Sequence, residues 1–511
     1  MLKKFKQKLF SKNINRSNKN TENIVELLKA FEVFKDIDNN VAFIQNILTD
    51  SEDVVYRELM LWDRKAILIY IDGLVDRNII ENHIIRRLQN FNEESENSIL
   101  TVTDVKEKIL AISNPEIVKN YNEIINGLLT GESLLLIDNE QEALTLNSQG
   151  LEKRGVEEPF AEQGLRGPRD GFIEDIDDNV AAIRKRIKDT RLKVQYHTLG
   201  QRTQTKVALV YLNDKAPEHV VKEIEKRIQE INVDSIVGSA SVEQLIENHK
   251  WTVFPQVLAS ERPDRIATSI LDGRVAIMVD GTPYNLIAPG TFAMFFNSSD
   301  DYYERSIVTS IIRIIRYMSF LIASTLPGLY VALTAYHPGM LPTTLVLFIT
   351  GSRVGLPLPS VVEMLLMLFT LEILLEAAIR LPKPISQTVG IVGGLVIGQS
   401  AVQAGLVSPL VVIIIGFTAI TSFVFPYYTF ALTNRALRIF FLIGGAFWGL
   451  FGIVIFWILL IIHLASIESF GVRYLEDFFS FKKEKLKDTF LKDGYPSLLG
   501  NAEAIKGDKK E

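Results

Sequence analysis

A chain of 511 residues has room for roughly two to four domains, and its averages (47% hydrophobic, 23% charged, net charge −6) blend two unlike parts, soluble in pattern to about residue 305 and mostly apolar from 311 to 465. The absence of cysteine excludes disulfides, thiolate catalysis and cysteine-based metal sites. No basic patch with interleaved aromatics occurs, which excludes a nucleic-acid footprint.

Residues 1–22 form a Lys/Asn/Ser-rich basic tail without the apolar core of a signal peptide, so disorder is expected there and a cytosolic position for the domain after it. Helical patterns follow in ENIVELLKAF and VAFIQNIL, then a strand at Lys65 to Ile71, a turn at Asp72 and Gly73, and a helix from about Asp76 to Leu88. This unit recurs. Ala66 to Ile71 (AILIYI) matches Val207 to Leu212 (VALVYL) at an offset of 141, and Gly127 to Asp138 matches Ser269 to Asp280 at an offset of 142. Two ordered matches at nearly one offset predict a duplication. The expected fold class is a cytosolic α/β region of two related subdomains (23–150 and 181–305, joined by a linker at 151–180), then an α-helical transmembrane domain at 306–466 and a polar tail at 467–511. Neither copy carries a GxGxxG or GxxxxGK[ST] phosphate loop, which speaks against nucleotide binding.

The linker contains RGPRDGFIEDIDDN. Gly167, Pro168 and Gly171 impose a turn, and Arg166, Arg169 and Asp170 are candidate contacts between protomers. Asp170, Glu174, Asp175, Asp177 and Asp178 lack the ligand spacing of a calcium loop, so no metal is expected. A basic helix is predicted from Val180 to Leu192. The Ser-Asp-Asp of SSDDYYER (Ser298 to Arg305) is expected to cap a helix that runs into the membrane.

The first span is predicted from about Ile314 to Tyr336, with Arg305, Arg313 and Arg316 holding the preceding domain inside. Pro327 and Gly328 mark a kink or break and a candidate hinge. Leu341 to Thr350 is too short to span and reads as re-entrant or interfacial. Ser360 to Arg380, SVVEMLLMLFTLEILLEAAIR, is long enough to cross, yet it carries Glu363, Glu372 and Glu376. Each carboxylate near the bilayer centre costs ~2.5–3.5 kcal/mol. At ~100° per residue, Ser360, Glu363, Met367 and Thr370 share one face as candidate pore-lining residues, and Glu372 and Glu376 lie opposite as candidate partners for a neighbouring helix or subunit. The alternative is that the glutamates are protonated or paired with Arg353 or Arg380 near a helix end. Gly390, Gly394 and Gly398 make two GxxxG steps, a candidate helix-packing edge, and Gly445 and Gly449 give another small-residue face. Pro409 to Phe425 and Ile439 to Leu464 are each long enough to cross. If Val389 to Gln403 also crosses, there are five spans and the basic FKKEKLK (Phe481 to Lys487) lies outside; if it re-enters, there are four and FKKEKLK lies inside, as the positive-inside rule prefers.

The histidines are scattered, and neither HExxH nor GxSxG occurs, so no enzyme activity and no cofactor is expected. His337, beside Pro338 at a membrane turn, is the one histidine placed for a role. RGPRDGFIEDIDDN, FPQVLASERPDRIATSILDGRVAIMVDGTPYNLIAPGTF, DDYYER, LPGLYVAL, HPGMLP, LPLPSVVEMLLM and RLPKPISQTVGIVGGLVIGQSAV together resemble the A subunits of the bacterial spore germinant receptors, the GerA family. A sister branch, the accessory protein encoded with the stage V dipicolinate-transport genes, shares much of the pattern and stays open. The resemblance implies a multi-pass protein in the lipid of the spore inner membrane, its N-terminal domain facing the core cytoplasm. It further implies a transporter-like B subunit and a lipoprotein C subunit as partners, and a homo-oligomeric ring, pentameric in family models, whose nutrient-gated channel releases monovalent cations. A ring of Glu363 side chains would favour cations. A non-conducting scaffold for B and C is the alternative, and a secondary transporter would require inverted repeats in the membrane part.

Overall fold

The structure, a computed structural model, describes residues 28–61, 64–94, 101–110, 115–150, 158–159, 162, 164, 166–479 and 489. The tail at 1–22, most of 151–165 and FKKEKLK at 481–487 lie outside the described residues. The chain divides into an α/β unit, which runs to Glu247 and resumes over Val257–Pro289, and a helical unit of Asn248–Gln256 and Gly290–Asp493. The helical unit thus takes in 248–256 and 290–305, which the sequence pattern assigns to the second subdomain.

In the α/β unit the first copy runs α1 (Ile37–Ile47), β1 (Val54–Leu61), β2 (Arg64–Ile71), β3 (Glu116–Val118), α2 (Tyr121–Thr130), β4 (Ser133–Ile137) and β5 (Ala143–Leu146). The second runs α3 (Ile176–Arg186), β6 (Leu192–Leu199), β7 (Thr205–Leu212), α4 (Glu218–Glu230), α5 (Ser239–Ile246), β8 (Leu258–Ser260), α6 (Pro263–Leu271), β9 (Val275–Val279) and β10 (Asn285–Ala288). The two antiparallel sheets have corresponding strand orders, β1-β2-β4-β5-β3 and β6-β7-β9-β10-β8. Register repeats too: Ala66 faces Ile137 and Ile69 faces Leu134, as Val207 faces Val279 and Val210 faces Ala276. The duplication is therefore a property of the hydrogen-bond ladder.

A third match, which the two strand matches miss, is KDIDNNVA at 35–42 against EDIDDNVA at 174–181. It does the same work in each copy. Asp36 caps α1 by accepting from Asp38 N–H (3.0 Å), and Asp175 caps α3 by accepting from Asp177 N–H (2.9 Å). Asn40 bonds both Phe34 N–H (2.9 Å) and Phe34 O (2.7 Å), as Asn179 bonds Ile173 N–H (2.9 Å) and O (2.7 Å). The basic helix accordingly runs Ile176–Arg186 instead of Val180 to Leu192, whose last residue opens β6, and the acids Asp175, Asp177 and Asp178 are its cap and first turn. Asp175 satisfies the orphan N–H groups of Asp177 and Asp178, and the carboxylates of the first turn offset the positive end of the helix dipole.

The copies meet at a buried ion pair. Arg184 of α3 donates through Nε to Asp53 Oδ2 (2.7 Å) and through Nη2 to Asp53 Oδ1 and Ser51 Oγ (both 2.8 Å), with both charged side chains 1% exposed. Gly73, at φ +80°, lets the first copy approach α3 closely: a Cβ there would lie 3.0 Å from Asp177 O.

Burial raises several carboxyls in this unit, Glu162 and Glu243 the most. Burial pushes Glu162 up to about 7, only partly offset by the bond its Oε2 accepts from Ser260 (2.7 Å), and burial with the neighbouring Glu247 pushes Glu243 up to about 7. Between 4.5, the ordinary value, and 7 the folded chain binds protons that the unfolded chain has released, so stability falls as pH rises through that window. Glu162→Gln with Glu243→Gln is expected to flatten the melting temperature of the full chain across about pH 5 to 7.5. An unchanged slope would show that other groups set it.

The helical unit comprises α7 (Ser306–Ala335), α8 (Thr343–Arg353), α9 (Ser360–Arg380), α10 (Lys383–Gln403), α11 (Pro409–Ser422) and α12 (Tyr428–Ser466). α7 and α12 are long and apolar enough to cross a membrane, and only 33% and 28% of their apolar windows are buried in the chain. A soluble core helix would be covered; surfaces such as Ile311, Ile315, Phe440 and Ile462 suit hydrocarbon.

α12 is not one long span. Gly449 has φ 61° and ψ −140°, and the helix folds back there. Phe441 and Trp457, which a straight helix would hold about 24 Å apart, have ring centroids 5.0 Å apart. The arms, 428–448 and 450–466, measure about 31 Å and 25 Å at 1.5 Å per residue. Tyr336, at the end of α7, donates its hydroxyl to Ala446 O (2.5 Å), a carbonyl that the reversal leaves without its helical partner.

Call the end of the bundle at Ser306 its base. Gly290 N–H donates to Ser469 Oγ (3.2 Å) and Phe292 N–H to Tyr474 O (2.9 Å), so the chain returns to the base after α12. Within this unit α7 lies against α12 and α11, and α9 lies against α10 and α11. α10 is a continuous 21-residue helix, and the chain's return to the base comes with the reversal at Gly449.

Candidate functional site: the acidic helix and its partners

Glu363 stands in the first turn of α9, just past Pro359, and is fully buried. Its Oε2 accepts from Ser408 N–H (2.9 Å) at the start of α11, and its Oε1 lies 3.2 Å from Arg353 Nη2, the last residue of α8. A cation and a helix N-terminus thus share one carboxylate. Its neighbours on α9, Met364, Met367 and Leu368, belong to a buried apolar cluster with Tyr330, Val331, Val407 and Val411.

Ser360 (4% exposed) and Met367 (5%) turn into the same core, while Thr370 is half-buried and its hydroxyl donates back to Leu366 O (2.9 Å). Within one chain Ser360, Glu363 and Met367 are thus packing surface. Glu372 and Glu376 are both paired: Glu372 with Arg435 of α12 (3.0 Å), Glu376 with Arg380 of its own helix (2.6 Å).

Of the kink or break expected at Pro327 and Gly328, no break occurs: α7 runs on as helix. Pro327 cannot donate to Ala323 O, four residues earlier. Arg438 Nε of α12 donates to that carbonyl instead (3.2 Å), and its Nη2 donates to Ser422 Oγ (2.5 Å). Gly328 crosses Gly445 so closely that a Cβ on either would overlap the other helix's backbone. Arg435 and Arg438 escaped the sequence reading, although two arginines inside an apolar helix are themselves a signal.

Of the GxxxG edge, Gly398 touches Val412, whereas Gly390 and Gly394 face open space; Gly393, off the predicted edge, is the residue that approaches Leu374 of α9. Among the described residues of α10, Gly393 and Gly398 approach neighbouring helices, and Ala401 and Val402 join the buried core. The Ser-Asp-Asp cap serves a short 3-10 turn, Ser299–Tyr302, and not α7, whose N-cap is Arg305. Asp301 receives both Arg316 Nη1 (2.6 Å) and Arg313 Nε (3.4 Å). Asp170 pairs with Arg186, and Arg169 with Glu158 (3.4 Å), so these candidate interface residues have partners within the chain, as does the exposed Arg166. His337 packs at the tip of the α12 reversal, where a Cβ on Gly449 would lie 2.7 Å from its ring. Among the described residues no cluster of His, Asp or Glu is placed to hold a metal. A cavity of about 320 Å³ opens between the two α/β copies, lined by Leu74, Leu129, Thr130, Gln149, Gly150, Lys185 and Lys188. Its size is that of a small-ligand site.

The family model described as Bacillus/Clostridium GerA spore germination protein matches residues 42–499. Spore germination protein B1 of Bacillus subtilis (strain 168) is 38% identical over 463 residues, 90% of this chain and 95% of its own length. Spore germination protein GerLA of Bacillus cereus is 39% identical over 472 residues, 90% of this chain and 94% of its own. A crystal structure of the N-terminal domain of the A subunit of the Bacillus megaterium spore germinant receptor GerK3 is 32% identical, covering 51% of this chain and 98% of that one at a TM-score of 0.41. With the family match spanning most of the chain and relatives this similar over nearly their whole lengths, the chain belongs to the GerA family of spore germination proteins.

Proposed function

We propose that the chain is the A subunit of a nutrient germinant receptor and that copies of it assemble in the spore inner membrane as a channel releasing monovalent cations. In this reading the α/β unit faces the core cytoplasm, and a transporter-like B subunit and a lipoprotein C subunit complete the complex. The observation that carries it is Glu363, a carboxylate buried in a membrane helix whose counter-charge sits on a weakly held element. α8, which bears Arg353, buries only Ile349 and lies between Pro342 on one side and Gly355, Pro357 and Pro359 on the other. Withdrawal of α8 would remove the cation and turn the acidic stripe Ser360, Glu363, Met367 and Thr370 toward a path where acids from several copies attract cations. The packed stripe then corresponds to a shut channel.

Potassium efflux from spores tests this. Arg353→Gln is expected to leak without nutrient, and Glu363→Gln to alter nutrient-triggered efflux, with membrane levels of all three subunits unchanged. Normal efflux from fully assembled variants would remove Glu363 from the conduction path. The burial of Ser360 and Met367 also favours a second reading, a scaffold that assembles B and C and conducts nothing. That reading expects the purified chain in liposomes to stay ion-tight.

A further inference from the structure

We propose that the loop Asn248–Gln256 is a membrane-interface anchor, with the Trp251 indole seated at the boundary between lipid headgroups and acyl chains. Trp251 is completely exposed (100%), and Val253 beside it is 43% exposed. An indole has an apolar body and one N–H donor, the combination that collects at bilayer interfaces.

The depth of the loop is set by its bonds. Thr252 Oγ1 lies 2.8 Å from His463 Nε2 in the last turn of α12, and the Thr433 hydroxyl in the first arm donates to Val253 O. Pro255 O accepts from Tyr474 OH (2.9 Å), and Gln256 O accepts from Ser469 Oγ (2.7 Å). Phe254 packs on Phe292 and Tyr474. The loop is therefore pinned where the apolar arms end, next to the exposed Ile461 and Ile462.

The rest of the arm gives the scale. Tyr428, 53% exposed, opens the first arm at the base, and Trp448, 56% exposed, closes it at the tip near the half-exposed Tyr336. Tyr428 and Trp448 are about 30 Å apart at 1.5 Å per residue, the thickness of a hydrocarbon core of ~30 Å. Aromatic groups at both ends of a lipid-sized apolar band mark its two boundaries. Trp251 belongs to the base boundary. Lys250, exposed beside it, favours an anionic headgroup.

The inference rests on the helical unit crossing a bilayer, and one experiment separates the two. The chain has no cysteine, so Trp251→Cys, Leu459→Cys and Val237→Cys each place a single nitroxide on a residue exposed in the fold. The labelled full chain is reconstituted in phosphatidylcholine/phosphatidylglycerol liposomes, and collision with oxygen is compared with collision with an aqueous nickel chelate. The oxygen-to-nickel ratio at position 251 is expected several-fold above that at 237, in the α/β unit, and below that at 459, on the apolar arm. A ratio at 251 equal to that at 237 would place the loop in water and overturn the proposal. So would a label at 251 reached by neither reagent, which would mean that protein covers it. If 459 itself behaves as aqueous, the bilayer reading fails and the anchor with it.

Discussion

Arg184→Ala is expected to lower the melting temperature of the α/β unit on the order of 10 °C. Asp53 and Arg184 are each 1% exposed, and the arginine grips both oxygens of the carboxylate at 2.7 and 2.8 Å. Removing one partner leaves the other charge buried and unpaired, at a cost of about 3–5 kcal/mol. A unit of this size shifts roughly 2–4 °C per kcal/mol. Replacing both groups by apolar ones, Arg184→Met with Asp53→Leu, is expected to recover most of the loss, because the desolvation penalty leaves with the charges. Thermal unfolding of the full chain in detergent checks both; a single substitution costing less than about 1 kcal/mol would show that water reaches the pair. The duplication does not repeat this contact. The repeated registers place Gln45 at the position of Arg184 and Arg191 at that of Asp53, and Arg191 pairs instead with Asp189 (2.6 Å) and Asp214 (2.8 Å). The pair therefore joins the copies in one order only.

Gly449→Leu should disrupt the helical unit as severely. Backbone at φ 61°, ψ −140° is open to glycine and costs other residues on the order of 1–3 kcal/mol. A Cβ would also meet the His337 ring at 2.7 Å and Tyr336 Cβ at 3.0 Å. The alternative open to the variant is to continue as one helix of 39 residues, about 58 Å, nearly twice the ~30 Å hydrocarbon core of a bilayer. The end of α12 would then leave the base. Single cysteines at Lys250 and Arg473, both exposed, report this in the otherwise cysteine-free chain. In the parent background they are expected to label from the same side of a sealed vesicle. In the Gly449→Leu background, position 473 is expected to label from both sides or the protein to be lost. Unchanged yield and sidedness would mean that the reversal tolerates a side chain.

The sequence by itself determined whatever depends on neighbours along the chain. Strand patterning placed β2, β4, β7 and β9 and paired them as copies, because short-range alternation survives duplication. The DID(N/D)NVA match was equally legible, since a cap and an asparagine that reaches back six residues are local chemistry. Arg353 stood among the candidate partners of Glu363 because both lie at helix ends bounded by prolines. Tertiary structure decided the rest. A glycine within an apolar run is compatible with a straight helix, and nothing near Gly449 announces the reversal. It is held by Tyr336, more than a hundred residues earlier, and by the contact of the two arms. The direction in which a small-residue stripe faces depends on which neighbour arrives, so Gly393 packs while Gly390 and Gly394 stay open. Arg438 has meaning only because Pro327 on another helix leaves a carbonyl free, and the acidic stripe of α9 is closed because α7, α8 and α11 converge on it. Side-chain type and spacing set which groups must be satisfied; only the packing of distant segments determines what satisfies them.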